Sequence, residues 1–406
     1  MPRFKDEPDN AAGSRPIRVC WVGLTLTPYH IARLNAAVRC GGLEMHYVSY
    51  SNVNDFRALQ CDEGVDEAFQ RHVLFPGRRI QSLTPRELWA RLWAVLEHVR
   101  PEAVCVPGWG LKGSAAALAW CVARGAAAVI VSESTREDAE RSGWKEWVKA
   151  RLLGLGGSAF VGGIRHAEYA RTLNMAEDRI VTGHNVVDND HFQVSAVSTP
   201  VGGINQRYFL ACARFETKKN LPLLIDAYHS YARMTTDPWK LVIAGDGELK
   251  PKLMQQIQAY GLSEQVLLPG AVGYSDLPRW YQNAGAFIHA STTEQWGLVV
   301  NEAMAAGKPV LVSRQCGCAP DLVREGVNGW TFDATQASEL ARLMQRITAA
   351  GEDLTAMGRA SAEIIAAWSP QGFGSALRRA VLVAMGKPRS KARMVDWILL
   401  RVLALR

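Results

Sequence analysis

Along this chain, short continuous apolar runs alternate with stretches whose apolar positions recur at helical spacing. Ile17 to Val22 reads as a buried strand, Tyr29 to Arg39 as a helix and Met45 to Ser49 as a second strand. Thr84-Pro85-Arg86-Glu87 is a capping box with proline at the first helical position, and the helix it opens ends before Pro101. Ala103 to Val106, Ala127 to Val131 and Ser158 to Val161 are further strands separated by helical stretches. After the linker-like segment Ser195 to Gly203, a second alternating set starts at Tyr208 to Ala213 and continues through Leu241 to Ala244 and Ala286 to His289. Strand and helix in regular alternation predict parallel sheets covered on both faces. The expected fold class is α/β, with two doubly wound Rossmann-like domains facing a cleft.

The second set carries the most informative stretch, Thr293-Glu294-Gln295-Trp296-Gly297-Leu298-Val299-Val300-Asn301-Glu302-Ala303-Met304-Ala305-Ala306-Gly307-Lys308-Pro309-Val310. Leu298 to Ala306 reads as a helix stopped by Gly307 and Pro309, so Glu294 lies just before the helix and Glu302 inside it. The free N–H groups and positive dipole end of a helix beginning at Gly297 can hold a diphosphate. A carboxylate on either side can accept hydrogen bonds from sugar hydroxyls. Upstream, Arg214-Phe215-Glu216-Thr217-Lys218-Lys219-Asn220 places cations at a strand-to-helix turn, where they can bind phosphate and stabilise charge on a departing group. Between these elements Gly245-Asp246-Gly247-Glu248 ends a strand, and its glycines allow close approach of a nucleotide to the backbone.

These three elements, in this order, resemble the donor-binding region of family 4 (group 1) retaining glycosyltransferases over Tyr208 to about Phe332, and more loosely before it. The resemblance implies the two-domain GT-B fold and a nucleotide diphosphate-sugar as co-substrate. It implies Glu302 at the nucleotide ribose, Glu294 at the transferred sugar, Arg214 and Lys219 at the diphosphate, and Gly245, Gly247, Trp296, Gly297 and Leu298 around the donor. Asn185-Val186-Val187-Asp188-Asn189-Asp190-His191-Phe192 resembles the family's hinge strand, with Val186 where a glycine is usual. That placement argues against reading Asp188 and Asp190 as an Asp-x-Asp metal site, and no metal is expected.

The first half departs from the family. Where members carry a histidine after the strand Val129 to Val131, this chain has Ser132-Glu133-Ser134-Thr135-Arg136. Glu133 then stands near the anomeric carbon, stabilising an oxocarbenium-like centre, holding a sugar hydroxyl or acting as a nucleophile. The competing reading makes the segment a helix N-cap cluster with Glu133 incidental. His30, Trp109 and Arg141 are acceptor-side candidates, while Gly162-Gly163 and His166 read as a structural turn.

Composition changes the picture mainly at the C-terminus. Residues 386–406 hold Lys387, Arg389, Lys391, Arg393, Arg401 and Arg406 against Asp396, so this short tail carries +5 of the total +7. Apolar residues lie between those cations, which suits a helix on an anionic membrane surface or one docked on the enzyme body. The near-neutral remainder and the lack of an aromatic-basic module argue against nucleic acid. No apolar run spans a bilayer and Met1 to Pro16 is polar, so the chain is expected in the cytoplasm, in contact with the inner face of the membrane. The eight cysteines, with only Cys316 and Cys318 close together, read as buried thiols.

The expected organisation is a disordered 1–16, an acceptor-side domain 17–195, a donor domain 204–368, a helix 369–385 returning to the first domain, and the basic tail 386–406. The function expected is transfer of a hexose to an acceptor hydroxyl with retention, in polysaccharide or glycolipid synthesis. The alternatives are a non-catalytic nucleotide-sugar-binding or assembly protein, and a sugar-nucleotide epimerase or phosphorylase on the same fold. For the phosphorylase, neither a pyridoxal lysine nor a phosphate pocket is identifiable.

Overall fold

The computed structural model describes residues 15–53, 66–193, 201–204, 206–349, 353–386 and 391–404. The expected disorder of residues 1–14, most of the linker, and Lys387, Arg389 and Arg406 of the tail lie outside them.

Two wholly parallel sheets form the frame. The first contains β1 (Ile17–Gly23), β2 (Leu43–Ser49), β3 (Gln70–Val73), β4 (Ala103–Pro107), β5 (Ala127–Ser132), β6 (Ser158–Val161) and β7 (Ile180–Thr182), in the order β3-β2-β1-β4-β5-β6-β7. Its helices are α1 (Pro28–Arg39), α2 (Pro85–Val99), α3 (Ser114–Arg124), α4 (Gly143–Leu155), α5 (Ile164–Thr172) and the short α6 (Asn189–Phe192). The second contains β8 (Tyr208–Cys212), β9 (Lys240–Ala244), β10 (Val266–Gly270), β11 (Ala286–His289), β12 (Val310–Ser313) and β13 (Gly329–Phe332), in the order β10-β9-β8-β11-β12-β13. It is flanked by α7 (Leu221–Ala232), α8 (Lys250–Ala259), α9 (Leu277–Asn283), α10 (Leu298–Ala305), α11 (Ala319–Leu322), α12 (Ala337–Thr348) and α13 (Leu354–Ala366). Then come α14 (Pro370–Gly386) and α15 (Met394–Ala404).

Every residue of β5, β6, β8, β11 and β12 is buried, which is why these strands read as unbroken apolar runs. The capping box is present: Thr84 Oγ1 accepts from the Glu87 amide at 3.3 Å, and the Glu87 carboxylate accepts from the Thr84 amide at 3.1 Å. One apolar cluster covers the outer face of each sheet. A third runs unbroken from the inner face of the first sheet, through Phe373 and Leu377 of α14, to α10 and the inner face of the second. Helix α14 packs on α1 and on β5, β6 and β7, so the last part of the chain crosses back over the first sheet.

Strand order reverses between β1 and β4 and again between β8 and β11. In open parallel sheets ligands bind outside the carboxyl ends of the strands at such points. The loops after β1, β5 and β7 therefore face those after β8, β9 and β11.

Candidate functional site

Glu294 and Lys219 come from the loops after β11 and β8, the neighbours across the second reversal, and form a mostly buried ion pair. Burial raises the pKa of Glu294, but the hydrogen bond to His289 and the charge of Lys219 outweigh it and hold the carboxyl well below the usual range. Burial lowers the pKa of His289, so the ring is neutral, with Nε2 3.5 Å from Glu294. Glu294 is thus a permanent anion with one fixed cation beside it. Arg214 stands on the exposed rim of the same turn, its guanidinium 2.8 Å from Glu216.

Gly297 takes φ +104° as the N-cap of α10, a conformation that aims the first turn of the helix at this pair and is open to glycine without strain. The glycines after β9 have a purpose other than ligand approach. A Cβ on Gly245 would overlap the Ala213 carbonyl oxygen, and one on Gly247 would press on the Phe215 backbone at 2.8 Å. They let the β9 turn lie directly on the turn that carries Arg214, a packing reason for glycine at both positions. The Trp296 indole is buried, donates to Asn301 at 2.8 Å and packs 4.8 Å from the Trp368 ring, which leaves its backbone to face a ligand.

Glu302 is fully buried on α10. Its Oε1 accepts from the Tyr29 hydroxyl at 2.6 Å and its Oε2 from the Tyr281 hydroxyl at 2.7 Å. Tyr29 belongs to α1, under the first sheet, so this carboxylate joins the two halves of the molecule. Burial raises its pKa to about 7 against the pull of both tyrosine hydrogen bonds. Each oxygen already accepts one hydrogen bond and the side chain is fully buried, so a ribose reaches it only where the packing of Tyr29 or Tyr281 gives way.

Opposite Glu294, the loop after β5 brings Glu133 into the cleft. The segment is not a helix start, since α4 begins at Gly143 with Ser142 at its N-cap, and the N-cap reading fails. The Glu133 side chain is 43% exposed, with protein atoms crowding it from the cleft on its other sides. That desolvation pushes its pKa up, Arg33 pulls it down and Glu294 pushes it up again. His184, after β7, places Nδ1 3.6 Å from Glu133 and stacks on Trp21. Burial and the Arg33 charge keep His184 neutral.

Arg33, Tyr29, His184 and Tyr281 escape sequence reasoning. The buried Arg33 donates to the Val186 carbonyl at 2.9 and 2.6 Å, and burial pulls its pKa down to about 10 while Glu133 opposes that fall. The available signal is a polar residue between the apolar Ile31 and Leu34 on a helix whose middle, from Arg33 to Ala37, is buried.

The acceptor-side candidates have structural tasks. Arg141 donates to the Thr135 and Arg136 carbonyls, Asp138 and Tyr169, bracing the loop after Glu133. Trp109 stands edge-on to Tyr169 at 6.3 Å with the Lys149 ammonium 5.6 Å from its ring. His30 packs 5.3 Å from Tyr47 with Nδ1 2.8 Å from Thr27 Oγ1, and burial lowers its pKa to about 3. Asp188 caps α6 through the His191 amide at 3.4 Å.

The halves interlock beside the cleft. Asp321, before β13, accepts from the Ile164 amide at 3.1 Å and so caps α5 of the opposite half. Arg165 donates to the Arg314 carbonyl at 2.7 Å, and Gln295 to Asp138 at 3.3 Å. His166, read as part of a turn, sits in this seam 5.7 Å from the Trp296 ring.

Residues 201–363 match the model of the family described as glycosyl transferases group 1. D-inositol 3-phosphate glycosyltransferase of Streptomyces griseus is 31% identical over 151 residues, 37% of this chain and 32% of that protein. Alpha-monoglucosyldiacylglycerol synthase of Acholeplasma laidlawii is 30% identical over 145 residues, 36% of each. The matched stretch thus spans about a third of these relatives' own length. Among solved structures, Anabaena HepE in complex with UDP and glucose superposes with a TM-score of 0.70 at 16% identity, over 89% of this chain and 98% of that one. The apo lipopolysaccharide outer core galactosyltransferase WaaB gives 0.65 at 15% identity, over 90% and 99%. At such identities the likeness establishes the fold, GT-B.

Proposed function

We propose that this chain, whose residues 201–363 match the glycosyl transferases group 1 model, moves a sugar from a nucleotide diphosphate-sugar to an acceptor hydroxyl with retention of configuration. The observation that carries this reading is the ionised Glu294–Lys219 pair facing Glu133 and Arg33 across one cleft. A site for glycosyl transfer needs cations for the departing diphosphate and anions around the sugar centre that becomes positive, and these residues supply both.

Lys219, Arg214 and the amides at the start of α10 hold the diphosphate, and Glu294 accepts from hydroxyls of the transferred sugar. The bond from the anomeric carbon to the phosphate oxygen breaks, the acceptor oxygen bonds to that carbon, and the acceptor proton passes to the leaving phosphate. Glu133 lies on the acceptor side, where an anion stabilises the oxocarbenium-like carbon. The ribose takes the place of the Tyr29 hydroxyl at Glu302, which couples donor entry to the seam between the halves. Closure over the cleft excludes water and limits hydrolysis of the donor. The names of the glycolipid synthase and lipopolysaccharide transferase above support polysaccharide or glycolipid assembly as the setting.

The test is a thermal-shift screen against UDP, GDP, ADP and their sugar conjugates, with wild type and Lys219→Ala. Bound nucleotide raises apparent stability by mass action, so a shift selective for one base and lost in the variant is expected. Absence of a shift with every nucleotide counts against the transferase and for a protein without this donor site.

A further inference from the structure

Helix α15 is apolar on two opposite sides, and the fold covers only one of them. Leu400 and Ala404 are buried where the helix lies on α3, in contact also with α2 and α4. One helical stripe round the back, Met394, Ile398 and Val402 are 80%, 57% and 59% exposed. A helix that is apolar all round belongs in a protein interior or against lipid. Its acid, Asp396, is turned inward, where both carboxylate oxygens accept from Arg151 of α4 at 2.8 and 2.6 Å. That clamp fixes α15 beside α4, and one turn before Arg151 stands Trp147, 50% exposed, with Trp144, 61% exposed, a turn earlier.

Exposed cations stand on both helices beside these apolar side chains, and the exposed acids nearby, Glu137 and Glu140, belong to the loop before α4 and not to either helix. Lys391, Arg393 and Arg401 are exposed on α15 and its approach, and the exposed Lys145 ammonium sits 5.9 Å from the Trp144 ring. The acid of α4, Glu146, is engaged by Lys149 at 2.8 Å and by Tyr169 at 2.7 Å. Exposed tryptophans and branched aliphatics with exposed lysine and arginine beside them fit the interface of an anionic bilayer, where indoles sit at headgroup depth and lysine and arginine meet lipid phosphates. The same α4 is reached from Glu133 through the loop 133–142, so this face lies next to the acceptor side of the cleft.

We propose that the outer faces of α4 and α15 seat the protein on an anionic membrane, so that a lipid-anchored acceptor enters the cleft on the Glu133 side. The acceptor part rests on the transferase reading above; the membrane part stands apart from it.

The experiment is flotation of the full chain with vesicles of phosphatidylglycerol and phosphatidylcholine, and with phosphatidylcholine alone, alongside the nucleotide thermal shift on the same preparations. Wild type should float with the anionic vesicles and not with the neutral ones, and high salt should weaken the binding. Ile398→Glu with Val402→Glu, and separately Trp144→Ala with Trp147→Ala, should each lower the bound fraction about tenfold or more. Both pairs substitute exposed positions, and an unchanged nucleotide shift shows that they fold. Failure of wild type to float, or equal flotation of the variants, overturns the surface. A dimer in size-exclusion chromatography that these variants dissolve also overturns it, making the face a contact between copies. If flotation behaves as stated while no nucleotide shifts the melting point, the membrane surface stands and the transferase reading falls.

Discussion

Substituting Glu302→Gln tests the buried carboxylate that joins the two halves. In the folded chain burial lifts the Glu302 pKa from 4.5 to about 7, whereas the unfolded chain keeps the ordinary value. Between those values the folded state binds the extra proton, so stability falls as pH rises. The contribution is fully present below about pH 4.5 and lost as pH passes through about 7. A raised pKa of this size corresponds to roughly 3 kcal/mol across the window, at about 1.4 kcal/mol per pH unit. Glutamine keeps the shape and is neutral throughout, and a tyrosine hydroxyl can turn to accept from its amide. The variant should therefore gain on the wild type as pH rises, by roughly 5–10 °C in apparent Tm for folded units of this size. The assay is thermal unfolding of both proteins from acid to mildly alkaline pH without nucleotide. Parallel curves, or a variant that loses ground at alkaline pH, would refute the reasoning, because either shows that this carboxylate does not titrate from a buried, desolvated state. With nucleotide added, the variant should bind more weakly, since the ribose hydroxyls lose an anionic acceptor.

Three further outcomes follow from the geometry. Glu133→Gln should lower turnover by about a hundredfold or more while leaving donor affinity intact; the acid limb of the wild-type kcat/KM profile should lie above the ordinary carboxylate pKa and vanish in the variant, as pH-rate measurements would show. Gly163→Ala places a methyl against the Asp321 carboxylate, so it should push that cap off α5 and raise the donor KM with little change in kcat. Gly245→Ala combines φ +141° with overlap on the Ala213 carbonyl oxygen, and denaturant unfolding should register a loss of about 2 kcal/mol or more.

The pattern of the chain carried the parallel sheets. Strands such as Val129 to Val131 and Phe287 to Ile288, buried on both faces, must be apolar throughout, and that requirement is written locally. Edge strands were less legible, because β3 is the polar Gln70-Arg71-His72-Val73 and β7 has only three residues, so neither has a run long enough to read. The family resemblance put Glu294 and Lys219 at one donor site, but that they form an ion pair is shown only by the meeting of the loops after β11 and β8.

What the sequence could not decide was which face of a residue meets what. Trp296 looked like a site residue, but the seam between the halves claimed its ring, since a large apolar surface next to Trp368 gains more from burial than from a wet cleft. Trp109 and Arg141 are engaged by the Tyr169 network, a set of contacts between segments far apart in the chain. Glu302 has the residue type and spacing of a ribose ligand, yet its partner Tyr29 is 273 positions away, and only the meeting of the two sheets shows that its oxygens already accept hydrogen bonds. The tail likewise announced its charge in sequence, but which of its apolar residues are covered depends on where α15 lands. Periodicity along the chain fixes what is inside each element; contacts between distant elements fix what each exposed side chain is free to do.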